Sequence, residues 1–277
     1  MKRDKGMIHR TTDFRPDSTR EKNPLWPLVL MVRAMTNRHS LLTRAGIAIL
    51  MTAVVVPITS VSANCNCHDC ELSPVSIEGP YFIDLHKIRS DVRENTTGVN
   101  LELKFQIVDI ETCSGIGGAT VEIWSCDAQG FYSGYLGRSP DEVATSARHQ
   151  MPTDNSTFLR GGQVSDDEGY VRFLTKVPGY YAGRAIHLHV LVSVLKWDVF
   201  VGQMYMPEGI IEHILQEPAY HREPDAPSRV RNEEDIYFVS SGGNMTTLLP
   251  TVAYDGSLQA SCRLGVKLRA KREYSAN

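Results

Sequence analysis

Leu101-Glu-Leu-Lys-Phe-Gln-Ile107 alternates apolar and polar residues without a break. That is the period of a β-strand with one buried face. Val121-Glu-Ile-Trp124 and Tyr170-Val-Arg-Phe173 repeat the pattern, and Ile186 to Val194 is a β-branched and aliphatic run that reads as a buried strand. Turn signals separate these runs: Ser114-Gly-Ile-Gly-Gly118, Asp127-Ala-Gln-Gly130, Asp166-Asp-Glu-Gly169 and Pro178-Gly179. Only Pro207 to Gln216 has a helical look. The expected architecture is all-β, an antiparallel β-sandwich with few short helices and a metal site carried on loops. Gly115-Ile-Gly-Gly118 lacks the spacing and the βαβ setting of a dinucleotide loop, and no Ser or Cys sits in a nucleophile elbow.

With 42% apolar and 22% charged residues, the 277-residue chain has an ordinary globular composition, which excludes disordered and collagen-like classes. A net charge of −3 gives no global field for nucleic acid, and no nucleic-acid partner is expected. The charge is uneven, however. Residues 1–44 carry ten Lys/Arg against four Asp/Glu, and the apolar run Ala45–Val56 follows directly. Its length fits the apolar region of a signal peptide better than a membrane span, which needs about 20 residues. Val61-Ser62-Ala63 offers a cleavage site, so residues 1–63 are read as a basic segment and signal, with the signal itself starting as late as Met35. Residues 64–277 are then one exported β-domain, with no stable membrane partner once the signal is cleaved; an uncleaved signal anchor is the alternative.

All six cysteines lie beyond that point: Cys65, Cys67, Cys70, Cys113, Cys126 and Cys262. In an exported chain this points to disulfides rather than to a zinc knuckle at residues 65–70. Cys113–Cys126 is the favoured bridge, because each residue ends a neighbouring expected strand. Sequons stand at Asn95, Asn155 and Asn244.

The stretch richest in chemistry is Pro178 to Val192, PGYYAGRAIHLHVLV. His187 and His189, two apart on a strand, project from one face; a metal is the natural binder of paired imidazoles in an apolar strand, with a satisfied structural pair or an exposed edge as the alternative. A cupin would add a Glu shortly after, but Ser193, Val194, Leu195 and Lys196 follow; a His-x-His-x-Asp hydrolase would need Asp where Leu191 stands. The nearby donors are phenols: Tyr180 and Tyr181 in the Pro-Gly turn, Tyr132 and Tyr135 after the strand ending at Cys126. Two phenolates with two imidazoles favour ferric iron.

Several motifs in order then carry a family resemblance: Glu78-Gly-Pro-Tyr-Phe82, Trp124-Ser-Cys-Asp-Ala-Gln-Gly-Phe-Tyr-Ser-Gly134, Phe158-Leu-Arg-Gly-Gly-Gln163, the Pro178–His189 stretch and Gly202-Gln-Met-Tyr205. From Cys70 to about residue 255 the chain resembles the secreted single-domain branch of the intradiol ring-cleavage dioxygenases. The resemblance implies an Fe(III) enzyme that inserts O2 between the hydroxylated carbons of a catechol-type ring to give a muconate-type diacid. It implies Tyr132, Tyr181, His187 and His189 as iron ligands, with water or hydroxide in the fifth position and Tyr180 as runner-up to Tyr181. It further implies that catechol displaces Tyr181, whose phenolate takes a substrate proton; that Arg184 stabilises charge on the reacting ring carbon; and that Gln203 and Tyr81 line the site.

The stretch Asn64–Ile77 is too short for the helical dimerisation segment of other catechol dioxygenases, so a helix-linked dimer is not expected. His149 and His213 match no ligand position and read as ordinary polar residues. The second reading from a different class is an exported β-sandwich binding module on the same scaffold, without catalysis.

Overall fold

A computed structural model describes residues 70–144 and 149–268, all within the second of the two units into which the chain divides, Thr59–Asn277. The basic head, the apolar run and the proposed cleavage site lie outside the described residues, as do Cys65 and Cys67. Among the described residues no helix is long and apolar enough to cross a membrane.

The strands are β1 (Asn100–Asp109), β2 (Thr120–Trp124), β3 (Arg160–Val164), β4 (Tyr170–Lys176), β5 (His187–Val194), β6 (Trp197–Tyr205), β7 (Thr251–Val252) and β8 (Leu258–Val266). They form two four-stranded sheets, ordered β4-β1-β8-β7 and β3-β2-β5-β6. The helices are short: α1 (Glu208–Ile214), entered from Pro207, and α2 (Ile236–Ser240). The expected sandwich is therefore the observed one, with one difference. β1 pairs with β8 in parallel, Leu101 opposite Leu258 through Asp109 opposite Val266. β8 hairpins with β7 but returns to β1 only after a long excursion, so no hairpin joins β1 to β8 and their pairing is free to be parallel.

The alternation of β1 has its expected consequence. Leu101, Leu103, Phe105 and Ile107 are at most 1% exposed and meet Val121, Ile123, Leu188, Val190 and Val192 between the sheets. Each such side chain contributes about 1.5–3 kcal/mol by leaving water. β5 is buried on both faces. Its even residues enter this core, while Leu191 joins a second cluster with Trp124, Cys126, Tyr132, Tyr135 and Tyr181. By the same alternation His187 and His189 point to that second, outer side of the sheet.

The expected Cys113–Cys126 bridge is not formed. Cys113 is joined to Cys70, and Cys126 is a buried free thiol whose Sγ donates to the Gly179 carbonyl at 3.4 Å. β1 and β2 are consecutive in sequence but lie in different sheets. The two cysteines therefore do not end paired strands, and the premise of the pairing fails. Cys262 is also disulfide-bonded.

Candidate functional site

Strand register assembles the floor of the site. On the outer face of the β3-β2-β5-β6 sheet, His189 lies opposite Trp124 on one side and Gln203 on the other, and His187 lies opposite Tyr205. The Trp124 indole stacks flat on the His189 ring, 4.7 Å between centroids at 8°. The expectation of loop-borne ligands thus holds for the tyrosines, while both histidines are on β5.

Two loops bring in the phenols. After β2, Asp127 Oδ1 accepts from the Gln129 and Phe131 amides, closing a turn that delivers Tyr132. The Pro178-Gly179 turn packs against it, with the Gly179 amide donating to the Asp127 carbonyl at 2.9 Å. A Cβ on Gly179 would stand 2.2 Å from the Ala128 carbonyl oxygen, so only glycine permits this approach. The ring centroids of Tyr132 and Tyr181 are 5.6 Å apart, and Tyr181 Oη lies 3.2 Å from His187 Nε2. Tyr180 points elsewhere: it packs against the main core with Arg222 over its ring. Of the two adjacent phenols, Tyr181 is the one in the site.

His187 Nδ1 is 2.7 Å from the Ala185 carbonyl, which can only accept, so the proton sits on Nδ1 and Nε2 offers a lone pair. That lone pair faces His189 Nε2 at 3.1 Å. Burial holds both imidazoles well below their ordinary value, helped at His187 by Arg184 and at His189 by its neighbour His187 and Arg184. They are neutral, as metal ligands must be. Tyr132 Oη is buried with no hydrogen-bond partner, as is His189 Nδ1. Burial raises both phenols above the ordinary value, with the Tyr181 phenol adding to it at Tyr132 and Arg184 opposing it at Tyr181. Among the described residues no group of three His, Cys, Asp or Glu side chains gathers as a metal set. Two neutral imidazole nitrogens and two phenol oxygens, one of them unpartnered, form a donor set that fits ferric iron.

The neighbouring groups are as ordered as the donors. Arg184 Nη1 lies 3.4 Å from Tyr181 Oη and 3.5 Å from His187 Nε2, while Nη2 donates to Gln203 Oε1 at 2.5 Å. Gln203 Oε1 also accepts from Tyr205 Oη at 2.9 Å, and Gln203 Nε2 donates to the Ile77 carbonyl. The Tyr81 ring lies tilted against Tyr132, 4.8 Å between centroids, and 5.0 Å from Tyr135; with Arg138 these rings line a cleft reaching Tyr181. All seven residues singled out in the sequence therefore converge. His149 stands apart, paired with Glu78 at 2.5 Å, and His213 lies in the last turn of α1.

Other residues of the site were given no role from the sequence, although Gly79 and Arg160 lie within the motifs Glu78–Phe82 and Phe158–Gln163. Gly79, at φ +82°, brings the Gly-Pro-Tyr loop onto His189: a Cβ there would be 3.3 Å from its Cε1. Arg160 is buried, donates to Ser133 and sits 5.8 Å from the Tyr132 and Tyr135 rings. Desolvation pulls its guanidinium down to about 10. Asp235, buried beneath Arg184, carried one legible signal: an Asp immediately before the apolar Ile-Tyr-Phe-Val run reads as a helix N-cap.

The site thus sits on a two-sheet sandwich, with imidazoles on a strand and phenols on adjoining loops. The Dioxygenase family model matches residues 77–219, just over half of the chain, and the chain belongs to the intradiol ring-cleavage dioxygenase family. An intradiol ring-cleavage dioxygenase from Tetranychus urticae is 33% identical with a TM-score of 0.66, over 73% of this chain and 98% of that one. The catechol 1,2-dioxygenase of Acinetobacter baylyi is 28% identical over 132 residues, 44% of this chain and 42% of the relative. That of Candida albicans is 28% identical over 130 residues, 40% and 38% respectively. The matched stretch thus spans less than half the length of either catechol 1,2-dioxygenase.

Proposed function

We propose that this chain is an exported, Fe(III)-dependent intradiol dioxygenase that opens catechol-type rings with O2, yielding a muconate-type diacid that contains both oxygen atoms. The observation that carries the reading is the convergence of Tyr132, Tyr181, His187 and His189, with an unpartnered phenol and a lone pair facing inward. These four would hold the iron, which when bound supplies the Lewis acidity that makes a catechol dianion reactive toward O2.

The chain's own groups do the rest. Coordination to the metal would hold Tyr181 as a phenolate despite its burial, and Tyr181 Oη, beside Arg184 Nη1, would then be able to take up a substrate hydroxyl proton. The always-charged guanidinium of Arg184 stabilises negative charge developing on the ring carbon. Gln203 anchors that guanidinium through Nη2, leaving Nη1 to the site. Tyr81 and Tyr135 form the aromatic wall along which a flat ring enters. Trp124 fixes the His189 plane and excludes water beneath it.

Export is supported by the basic head, the apolar run Ala45–Val56 and the small residues before Asn64, together with the Cys70–Cys113 bridge. In an exported form residues 64–277 are the mature domain, and the exposed Asn95 and Asn155 are acceptors for N-glycans. Incubation of iron-loaded protein with catechol under 18O2, followed by mass spectrometry, tests the activity. The expected product is a ring-opened diacid carrying two heavy oxygens; unreacted catechol, or a quinone without label, would overturn it.

A further inference from the structure

The Arg184 guanidinium is held by a segment far away in sequence. Asp235 is completely buried, and both of its oxygens are engaged. Oδ2 accepts from Arg184 Nε at 2.8 Å and from the Ala185 amide at 2.7 Å. Oδ1 caps α2, accepting from the Tyr237 amide at 2.8 Å and the Phe238 amide at 3.1 Å. The Tyr237 ring lies under the same guanidinium, 4.5 Å from Cζ. With Nε on Asp235, Nη2 on Gln203 and one face on Tyr237, only Nη1 is left to face Tyr181 Oη and His187 Nε2.

A buried pair of this kind is weak evidence for stability, since removing two charges from water offsets much of their attraction. It is good evidence for fixed geometry. The carboxylate is also tied to four N–H groups, three of them backbone amides, so it cannot follow the arginine if the latter swings. Electrostatic help to a developing charge is effective when the donor is already in place.

We infer that Asp235 and Tyr237 are positioning residues that lock Arg184 into the one orientation that aims Nη1 at the reacting centre. The inference rests on the proposed activity for its kinetic consequence, and on the residues alone for its geometric one. Both residues lie beyond residue 219, where the match to the family model ends. The short α2 is thus the mount of the arginine, and its N-terminus supplies amides that keep the Asp235 carboxylate in place.

Two variants test this. Asp235→Asn removes the counter-charge and sets an amide against Arg184 Nε; Tyr237→Leu removes the ring on a half-buried surface helix and leaves the capped carboxylate intact. In iron-loaded protein held well below its melting temperature, kcat for catechol is expected to fall roughly 10–100-fold for Asp235→Asn and 3–10-fold for Tyr237→Leu. KM should stay within about threefold, and the visible absorption band of the resting protein should not move. In metal-free protein, NMR of 15N-arginine-labelled samples should show a slowly exchanging Arg184 Nε–H that is lost in Asp235→Asn. If the parent protein binds no iron or turns over nothing, the proposed activity fails, and the exchange measurement alone decides whether the guanidinium is locked. A rapidly exchanging Nε–H in the parent, or a kcat unchanged in both folded variants, overturns the inference.

Discussion

His187 Nε2 and His189 Nε2 face each other at 3.1 Å, inside a fully buried cluster where burial keeps both rings neutral. His187 has its Nδ1 proton committed to the Ala185 carbonyl, so its Nε2 lone pair is turned to His189 Nε2 and to Tyr181 Oη, 3.2 Å away. The neighbouring phenol of Tyr132 is buried with no hydrogen-bond partner, as is His189 Nδ1, and both are costly to leave so. The cluster is arranged for something it would hold.

Tyr132→Phe separates the fold from the metal. The hydroxyl it removes has no partner, so the metal-free protein should be unchanged or more stable, by up to about 1–2 kcal/mol. Iron retention should collapse, by at least about tenfold in affinity. Thermal melting of metal-free protein and iron content after dialysis against a chelator measure the two. A large loss of stability with iron retained would contradict the role given to Tyr132.

The neutral histidines give a signed pH dependence. Their folded values lie below the ordinary 6.5, so the unfolded chain binds protons that the native state refuses. Their contribution to stability is whole above about 6.5 and declines as the pH falls below it, by up to about 1.4 kcal/mol per pH unit for each ring. Urea midpoints of metal-free protein from pH 8 to pH 5 should fall more steeply than those of a His187→Gln/His189→Gln double variant. Parallel curves would show that these rings titrate normally.

Gly79→Ala tests the loop over the site. A side chain at φ +82° is strained, and its Cβ would press on His189 Cε1 at 3.3 Å. A cost of about 1–2 kcal/mol is expected from the backbone alone, with weaker iron retention as the loop lifts. Chemical denaturation gives the first quantity. An unchanged midpoint would mean that the loop does not adopt this conformation.

The covalent pattern is equally open to measurement. Non-reducing peptide mapping should join the Cys70 and Cys113 peptides and leave Cys126 as a thiol, labelled only after denaturation. Cys113→Ser should cost about 2–4 kcal/mol. A Cys113–Cys126 peptide would contradict the separation of β1 and β2 into different sheets.

What the sequence made legible follows the strength of the local signal. The alternation in Leu101–Ile107 identified β1, and the same pattern in Tyr170–Phe173 identified β4. β3, Arg160-Gly-Gly-Gln-Val164, has two adjacent glycines and no period to read. β8 alternates as plainly as β1, yet its parallel pairing depends on where the chain returns, which no local pattern records. Expecting Cys113 to meet Cys126 failed for the same reason, since sheet membership is a long-range property. The candidate site residues Tyr132, Tyr181, His187 and His189 could be picked out because they sit in motifs, and the fold brings them together. Residue type alone did not separate Tyr180 from Tyr181; the resemblance preferred Tyr181, and the turn places the two in different clusters. Asp235 was missed because its partner is 51 residues away.

The most direct test of the proposed centre is a visible absorption spectrum of purified protein supplied with iron, recorded before and after catechol is added. Phenolate bound to Fe(III) gives a broad charge-transfer band, so the protein should be reddish, and catechol should shift the band. A folded, iron-supplied protein that stays colourless, or a colour that catechol leaves unmoved, would contradict a tyrosinate–iron site that binds substrate directly.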